Sequence, residues 1–281
     1  MFRKVVLFMV KLAWVRGCLL ACTLWVGVLA HAETAVFRLG VAPHTSARVI
    51  LEMYQPLRQR LEQELGGAVE VVTAPDFTEF ARRTLKQDYD LVVTTGHQAR
   101  LAQTDAGYLP LLTYRADFRA VALVADAGPV KAPADLKNKP VLGLSASSLV
   151  TLWGQHWLKK NGLTQALRYV SASDSVAHLI LEGQAQAGFT SLANYQSLAR
   201  DVQSRLRFLA ISEPMAGRVY MLNQRQLARK PAIELALGRF AESESGKAYF
   251  ARYKLDGYRA LKSRELQAMD PYAAEVRQTL R

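Results

Sequence analysis

The stretch VFRLGVAPHTSARVILEMYQPLRQRLEQELGGAVEVVTAPDFTEFARRTLKQDYDLVVTT, residues 36–95, decides the fold. Residues 36–42 (VFRLGVA) read as a strand that Pro43 ends. Over residues 47–65, Ile50, Tyr54, Leu57, Leu61 and Leu65 recur at three- and four-residue steps. That spacing makes one apolar stripe on a helix. Gly66-Gly67 stop it, and Pro56 predicts a kink or a later true start. Residues 69–73 (VEVVT) are a second strand, and 77–86 a second helix with Asp76 as N-cap and Glu79 three residues on. Residues 89–94 (YDLVVT) are mostly apolar, as a strand buried on both faces requires. The order β-α-β-α-β predicts an α/β unit with right-handed crossovers.

The same order returns further on. A helix near 98–104 leads to strands at 109–114 and 118–124. After a Gly/Pro-rich stretch, residues 141–144 (VLGL) form a strand running into Ser145-Ala146-Ser147-Ser148. Helix 149–160, strand 168–170, helix 175–182 and strand 185–190 follow. Strands at 208–211 and 218–222 cross back, with crossovers expected near 121–125 and 211–219. The remainder, 231–240, 246–253 and 268–280, is helical. Two α/β halves, with the chain returning to the first, predict a two-lobed clamp. Its lobes are 33–122 plus 218–281, and 123–217.

The first 32 residues read as a secretory signal. Arg3, Lys4, Lys11 and Arg16 precede an uncharged run over 17–30, and Ala30-His31-Ala32 offers an A-x-A cleavage site after Ala32. The run is shorter than the ~20 apolar residues a membrane span needs. Leu19-Leu20-Ala21-Cys22 resembles a lipobox, but the order of charge and apolar run suits cleavage after Ala32 better. The formal charge of the whole chain is +12. Losing four basic residues and no acid leaves +8, with Cys18 and Cys22 also gone. An exported, periplasmic domain without cysteine has neither disulfide nor thiol nucleophile. Positive charge favours an anionic partner. The basic residues are scattered without interleaved aromatics, so nucleic acid is not the expected partner. A small anion is.

Polar residues gather at predicted strand ends, where open α/β sheets bind ligands. Ser145, Ser147 and Ser148 stand where a strand hands over to a helix, whose first turn offers unpaired N–H groups to an oxyanion. Capping alone is the competing explanation for serine there. Thr94, Thr95, Gly96 and His97 follow the third strand; Thr95 could equally be a cap, and the glycine would let a ligand approach. His44 and Thr45 end the first strand, Ser173 precedes a helix, and Thr190-Ser191 end another strand. The expected ligand contacts are Ser147, Ser148, Thr94 and Thr95, then Ser145, His97, Thr45, Tyr54 and Ser173. No metal or cofactor site is expected. The four histidines after residue 32 (His44, His97, His156 and His178) lack metal-ligand spacing, and no G-x-S-x-G elbow or P-loop occurs. An enzyme is therefore not expected. Trp153 and Trp157, four apart, read as core.

Several segments resemble one family. FRLGVAP, then Tyr54-x-Pro56-Leu57 leading to Leu65-Gly66, Ala74-Pro75-Asp76-Phe77 and Tyr89-Asp90-Leu91 are similar to phosphate/phosphite/phosphonate-binding proteins. The strand–serine–helix element stands where that family has its Ser-Thr-Ser anion loop, and Leu255-Asp256-Gly257-Tyr258 resembles its C-terminal turn. The resemblance implies a type II periplasmic-binding-protein clamp. Each lobe would be a mostly parallel sheet flanked by helices, and two crossover strands would join them. It further implies a small anionic ligand and the membrane permease of an ABC importer as partner. A related branch works with a sensor histidine kinase; Thr94-Thr95-Gly96-His97 resembles its T-N-P-G-H loop with one residue missing. There are departures. Leu149 stands where the anion loop has glycine, which would narrow the pocket. Ser173 falls on a family histidine, and Gln186 on an acid that recognises a protonated phosphonate or an amine. That loss disfavours an aminophosphonate.

Overall fold

The computed structural model describes residues 36–170 and 173–281. The expected signal segment, 1–32, lies outside the described residues. Strand β1 (Phe37–Val41) is followed by α1 (Ala47–Leu65), β2 (Val69–Val72), α2 (Phe77–Leu85) and β3 (Leu91–Thr95). Next come α3 (Gly96–Ala106), β4 (Leu109–Tyr114) and β5 (Ala120–Ala125). Then follow β6 (Val141–Gly143), α4 (Leu149–Lys160), β7 (Arg168–Tyr169), α5 (Ser173–Leu181) and β8 (Ala187–Ser191). Short helices α6 (Leu192–Ser197) and α7 (Arg200–Gln203) precede β9 (Leu206–Ile211) and β10 (Arg218–Leu222). The chain ends with α8 (Lys230–Glu242), α9 (Glu244–Tyr253), β11 (Tyr258–Arg259) and α10 (Asp270–Thr279).

The strands form two sheets, ordered β11-β4-β10-β3-β1-β2 and β7-β6-β8-β5-β9. In each, the β-α-β-α-β part is parallel: β1 with β2 and β3, and β6 with β7 and β8. The rest is antiparallel, β10 against β3 and β4, and β5 against β8 and β9. The sheets are thus mixed, but most strands of each run one way: β10 and β11 oppose the others in the first sheet, and β5 opposes the others in the second.

Strand pleating explains the cores. Leu91 and Val93 of β3 join Leu39, Ile50, Leu57 and Leu237 in one core. Val92 points the other way, to Ala99, Tyr108 and Met221. In β5, Ala122 and Val124 face Leu158 and Phe189, while Val121 and Leu123 face Val176 and Ile180. Helices therefore cover both faces of each sheet. Trp153 and Trp157 stack at 6.4 Å and lie edge-on to Phe189.

Pro56 neither starts nor interrupts α1, which runs from its Ser46 cap to Gly66 in the left-handed region (φ 65°). Proline removes the bond to the carbonyl four residues back. That residue, Glu52, is exposed, and Ile50, Met53, Tyr54, Leu57 and Leu61 still anchor the buried stripe.

The chain leaves the first sheet at 115–119 and returns at 212–217. The first crossing precedes the expected 121–125, since β5 is paired within the second sheet from Ala120 onward. The crossing segments bridge each other. Met215 N donates to Phe118 O (2.9 Å) and Ser212 N to Ala120 O (2.9 Å). Helix α5 starts at Ser173, two residues earlier than the pattern predicts.

Candidate functional site

The carboxyl ends of β1, β3, β6 and β8 hold the expected polar residues, and much of that polarity is spent on capping. Ser46 Oγ accepts from Val49 N (3.4 Å) and Ser191 Oγ from Asn194 N (3.1 Å). Ser148 caps α4, accepting from Thr151 N (3.4 Å) and donating to Thr151 Oγ1 (2.8 Å). Each cap satisfies one N–H of a helix start.

Thr94, Thr95, His97, Ser147 and Ser148 are brought together and buried. His97 Nε2 donates to Ser147 O (2.9 Å), which leaves Nδ1 to accept from Thr95 Oγ1 (3.1 Å). Thr95, the residue before α3, therefore makes no cap bond. Thr78 and Ser147 hydroxyls share a bond of 2.9 Å. Thr94 Oγ1 donates to Gln98 Oε1 (3.2 Å), whose Nε2 donates to Phe77 O (3.0 Å). Burial holds His97 neutral, its pKa lowered to about 4. These groups join the first-sheet element 77–98 to the serine loop of the second sheet.

Apolar contact reinforces the join. Leu149 packs with Ala42, Ala74 and Phe80, and Leu152 with Ala81, Leu101, Ala273 and Val276. The leucine in the place of glycine is thus a buried plug between the sheets. Gly96 is also spent: a Cβ there would lie 2.5 Å from both Ala216 Cβ and Ala216 O. The glycine admits the returning crossing segment, not a ligand.

A second cluster lies on the first sheet. The Tyr114 hydroxyl meets those of Tyr249 (2.6 Å), Tyr220 (2.7 Å) and Tyr54 (3.5 Å), and Tyr220 meets Tyr258 (2.9 Å). Desolvation pushes the Tyr114, Tyr220 and Tyr249 pKa values far up, so these phenols stay neutral. Arg218 opens β10 opposite Thr95, at the same sheet edge. Its Nη1 lies 4.0 Å from Met53 Sδ. Burial would lower its pKa, but the oxygens of Tyr54, Tyr114 and Tyr249 outweigh burial and hold the pKa above its ordinary value. Among the described residues no carboxylate lies within 4.0 Å of this guanidinium. A half-buried charge without a counter-ion is costly.

His44 completes this cluster. Its Nδ1 donates to Ala42 O (2.8 Å), so Nε2 carries the lone pair; that atom is buried and has no partner among the described residues. The ring sits edge-on to Tyr54 at 6.4 Å. Burial first, and then the charge of Arg218, lower its pKa well below the usual imidazole range. Ser145 Oγ is likewise buried without a partner. Thr45 is exposed, and Ser173 is half-buried in the first turn of α5. Sequence inspection missed Arg218. Its only signal was a charge at the start of an otherwise apolar strand, and its place beside Thr95 depends on strand pairing.

The sequence profile of periplasmic substrate-binding proteins of phosphonate ABC transporters matches residues 39–266. Among solved structures, PhnD1 of Prochlorococcus marinus, in complex with methylphosphonate, superposes with a TM-score of 0.75 at 13% identity, over 86% of this chain and 98% of its own. A Xanthomonas citri protein bound to ATP gives 0.74 at 19% identity, over 88% and 100%. The aliphatic sulphonate binding protein SsuA of Escherichia coli gives 0.58 at 16% identity, over 87% and 92%. No curated protein sequence matches the chain.

Proposed function

We propose a function from one premise: this chain belongs to the periplasmic substrate-binding family of phosphonate ABC transporters. It captures a small oxyanion or organic anion between two lobes and presents it to the permease of an importer. One lobe is the first sheet with its helices, including 218–281; the other is the second sheet. Residues 1–32 are the export signal, cleaved after Ala32. Hinge closure between two lobes suits the paired crossing segments at 115–119 and 212–217.

The observation that carries this reading is Arg218. Its guanidinium stands at the sheet edge, half-buried, among neutral phenols and without a carboxylate. An anionic ligand is the natural counter-ion. Ser145 is the donor from the second sheet, because its hydroxyl is buried and unpartnered. Ser147, Ser148, Thr94 and Thr95 contribute only if the lobes part and their present bonds exchange. A second role, reporting the ligand to a membrane histidine kinase, is favoured by His97. Its bond across the sheets makes the resembled sensor loop part of the closure.

The test is calorimetric titration of residues 33–281 with methylphosphonate, phosphite, phosphate, sulfate and methanesulfonate. At least one phosphorus oxyanion should bind. Arg218→Gln should weaken it about thirtyfold or more, as losing one partner of a desolvated charge pair does. Equal affinity in wild type and variant, or no binding at all, overturns the reading.

A further inference from the structure

Two groups of opposite need face one sheet edge: a guanidinium bonded to the Tyr54 hydroxyl but, among the described residues, lacking a counter-ion, and an imidazole nitrogen lacking a donor. Arg218 offers N–H donors and a positive charge with no carboxylate to receive them. His44 offers a bare, buried lone pair on Nε2, because Nδ1 is held by Ala42 O. An ordinary anion satisfies the first and offends the second, since its oxygens would meet the lone pair of Nε2. An anion bearing one acidic hydroxyl satisfies both.

We propose that His44 and Arg218 together select a monoprotonated tetrahedral oxyanion, such as a hydrogen phosphonate, over sulfate and sulfonate. The inference rests on the anion-binding reading above. In it, charged ligand oxygens accept from Arg218 while the ligand hydroxyl donates to His44 Nε2. Sulfonate has no such hydroxyl, so it binds only if His44 takes a proton from solvent. The groups whose charge or ring reaches His44 are Arg218 from β10 and Tyr54 from α1. Burial and Arg218 both oppose a proton there, which makes the sulfonate route costly. Sites built around a ligand hydroxyl reject analogues that lack it, because a buried polar group is then left unpaired. A ligand with an ammonium group gains nothing here, since Arg218 repels it.

The experiment compares two ligands of nearly the same shape, methylphosphonate and methanesulfonate, by calorimetry at pH 6, 7.5 and 9. Wild-type protein should prefer methylphosphonate at least tenfold at pH 6. That preference should shrink as pH rises through the second ionisation of the phosphonate and its hydroxyl is lost. Whatever methanesulfonate binding occurs should take up about one proton, read from its dependence on buffer ionisation heat. His44→Gln, which presents an amide donor, should bring the two affinities within about threefold. Equal wild-type affinities, or a ratio unmoved by His44→Gln while methylphosphonate still binds, overturn the selection and leave the anion site standing. Failure of both ligands to bind overturns both. The wild-type pH series decides the matter if the variant does not fold.

Discussion

The two polar clusters at the strand ends differ in one respect: one is satisfied and the other is not. Around Ser147, the hydroxyls of Thr78, Thr94, Thr95, Ser147 and Ser148 and the His97 imidazole have protein partners, Ser145 Oγ being the exception, and Leu149 and Leu152 seal the contact. Around Arg218, among the described residues, a guanidinium lacks a carboxylate and His44 Nε2 lacks a donor. Polar residues at the carboxyl edge of a sheet are therefore not equivalent. Those that bond to one another contribute to closure. Those left with unmet needs are where a ligand gains free energy by binding.

The largest contrast should come from Arg218→Met. Replacing a desolvated, unpaired charge with an apolar side chain is neutral or stabilising. Thermal unfolding should be unchanged or higher, while methylphosphonate affinity falls beyond detection. A variant that binds normally would break the comparison. Next, Leu152→Ala empties a buried position between α2, α3, α4 and α10 and should cost about 2–5 kcal/mol in urea unfolding. A cost under about 1 kcal/mol would mean that the apolar seal contributes little.

Acid should act on the satisfied cluster. His97 is neutral when folded, with a pKa of about 4 against an ordinary value of 6.5. The unfolded chain takes its proton first as pH falls. The stability is thus complete above pH 6.5 and is lost as pH falls toward 4. At pH 5 the loss is about 2 kcal/mol. Denaturation at pH 7 and pH 5 should show it, and His97→Gln should flatten the difference, with His44 contributing in the same direction. The smallest effect concerns Ser147→Ala. Loss of the bond with Thr78 should cost about 1 kcal/mol of stability. Anion affinity should stay within about threefold. A collapse of affinity would show that this serine exchanges Thr78 for the ligand.

Most secondary structure was legible because its signals are local. The stripe Ile50–Leu61 recurs at helical spacing, and Asp76 and the serines before α4 stand at helix starts; the Ser46 cap emerged only in the structure. Leu91, Val92 and Val93 read as a strand buried on both faces. The family resemblance was legible from short motifs in the right order. Less was legible of the site. Ser147, Ser148, Thr94, Thr95 and His97 were identifiable as strand-end polarity, but that they bond to one another was not. Gly96 read as room for a ligand and proved to be room for Ala216.

The sequence by itself determined the α/β alternation, the two-sheet clamp and a chemistry of hydroxyls, imidazoles and positive charge at the strand ends. Only the tertiary structure decided which of those groups were spent. Arg218 reaches Thr95 because β10, more than a hundred residues later, returns antiparallel beside β3. His44 acquires its bare nitrogen from a bond to Ala42 O and its low pKa from burial and Arg218. Periodicity reports which face of an element is buried. Satisfaction of a polar group depends on partners far away in the chain, and only folding brings those into place.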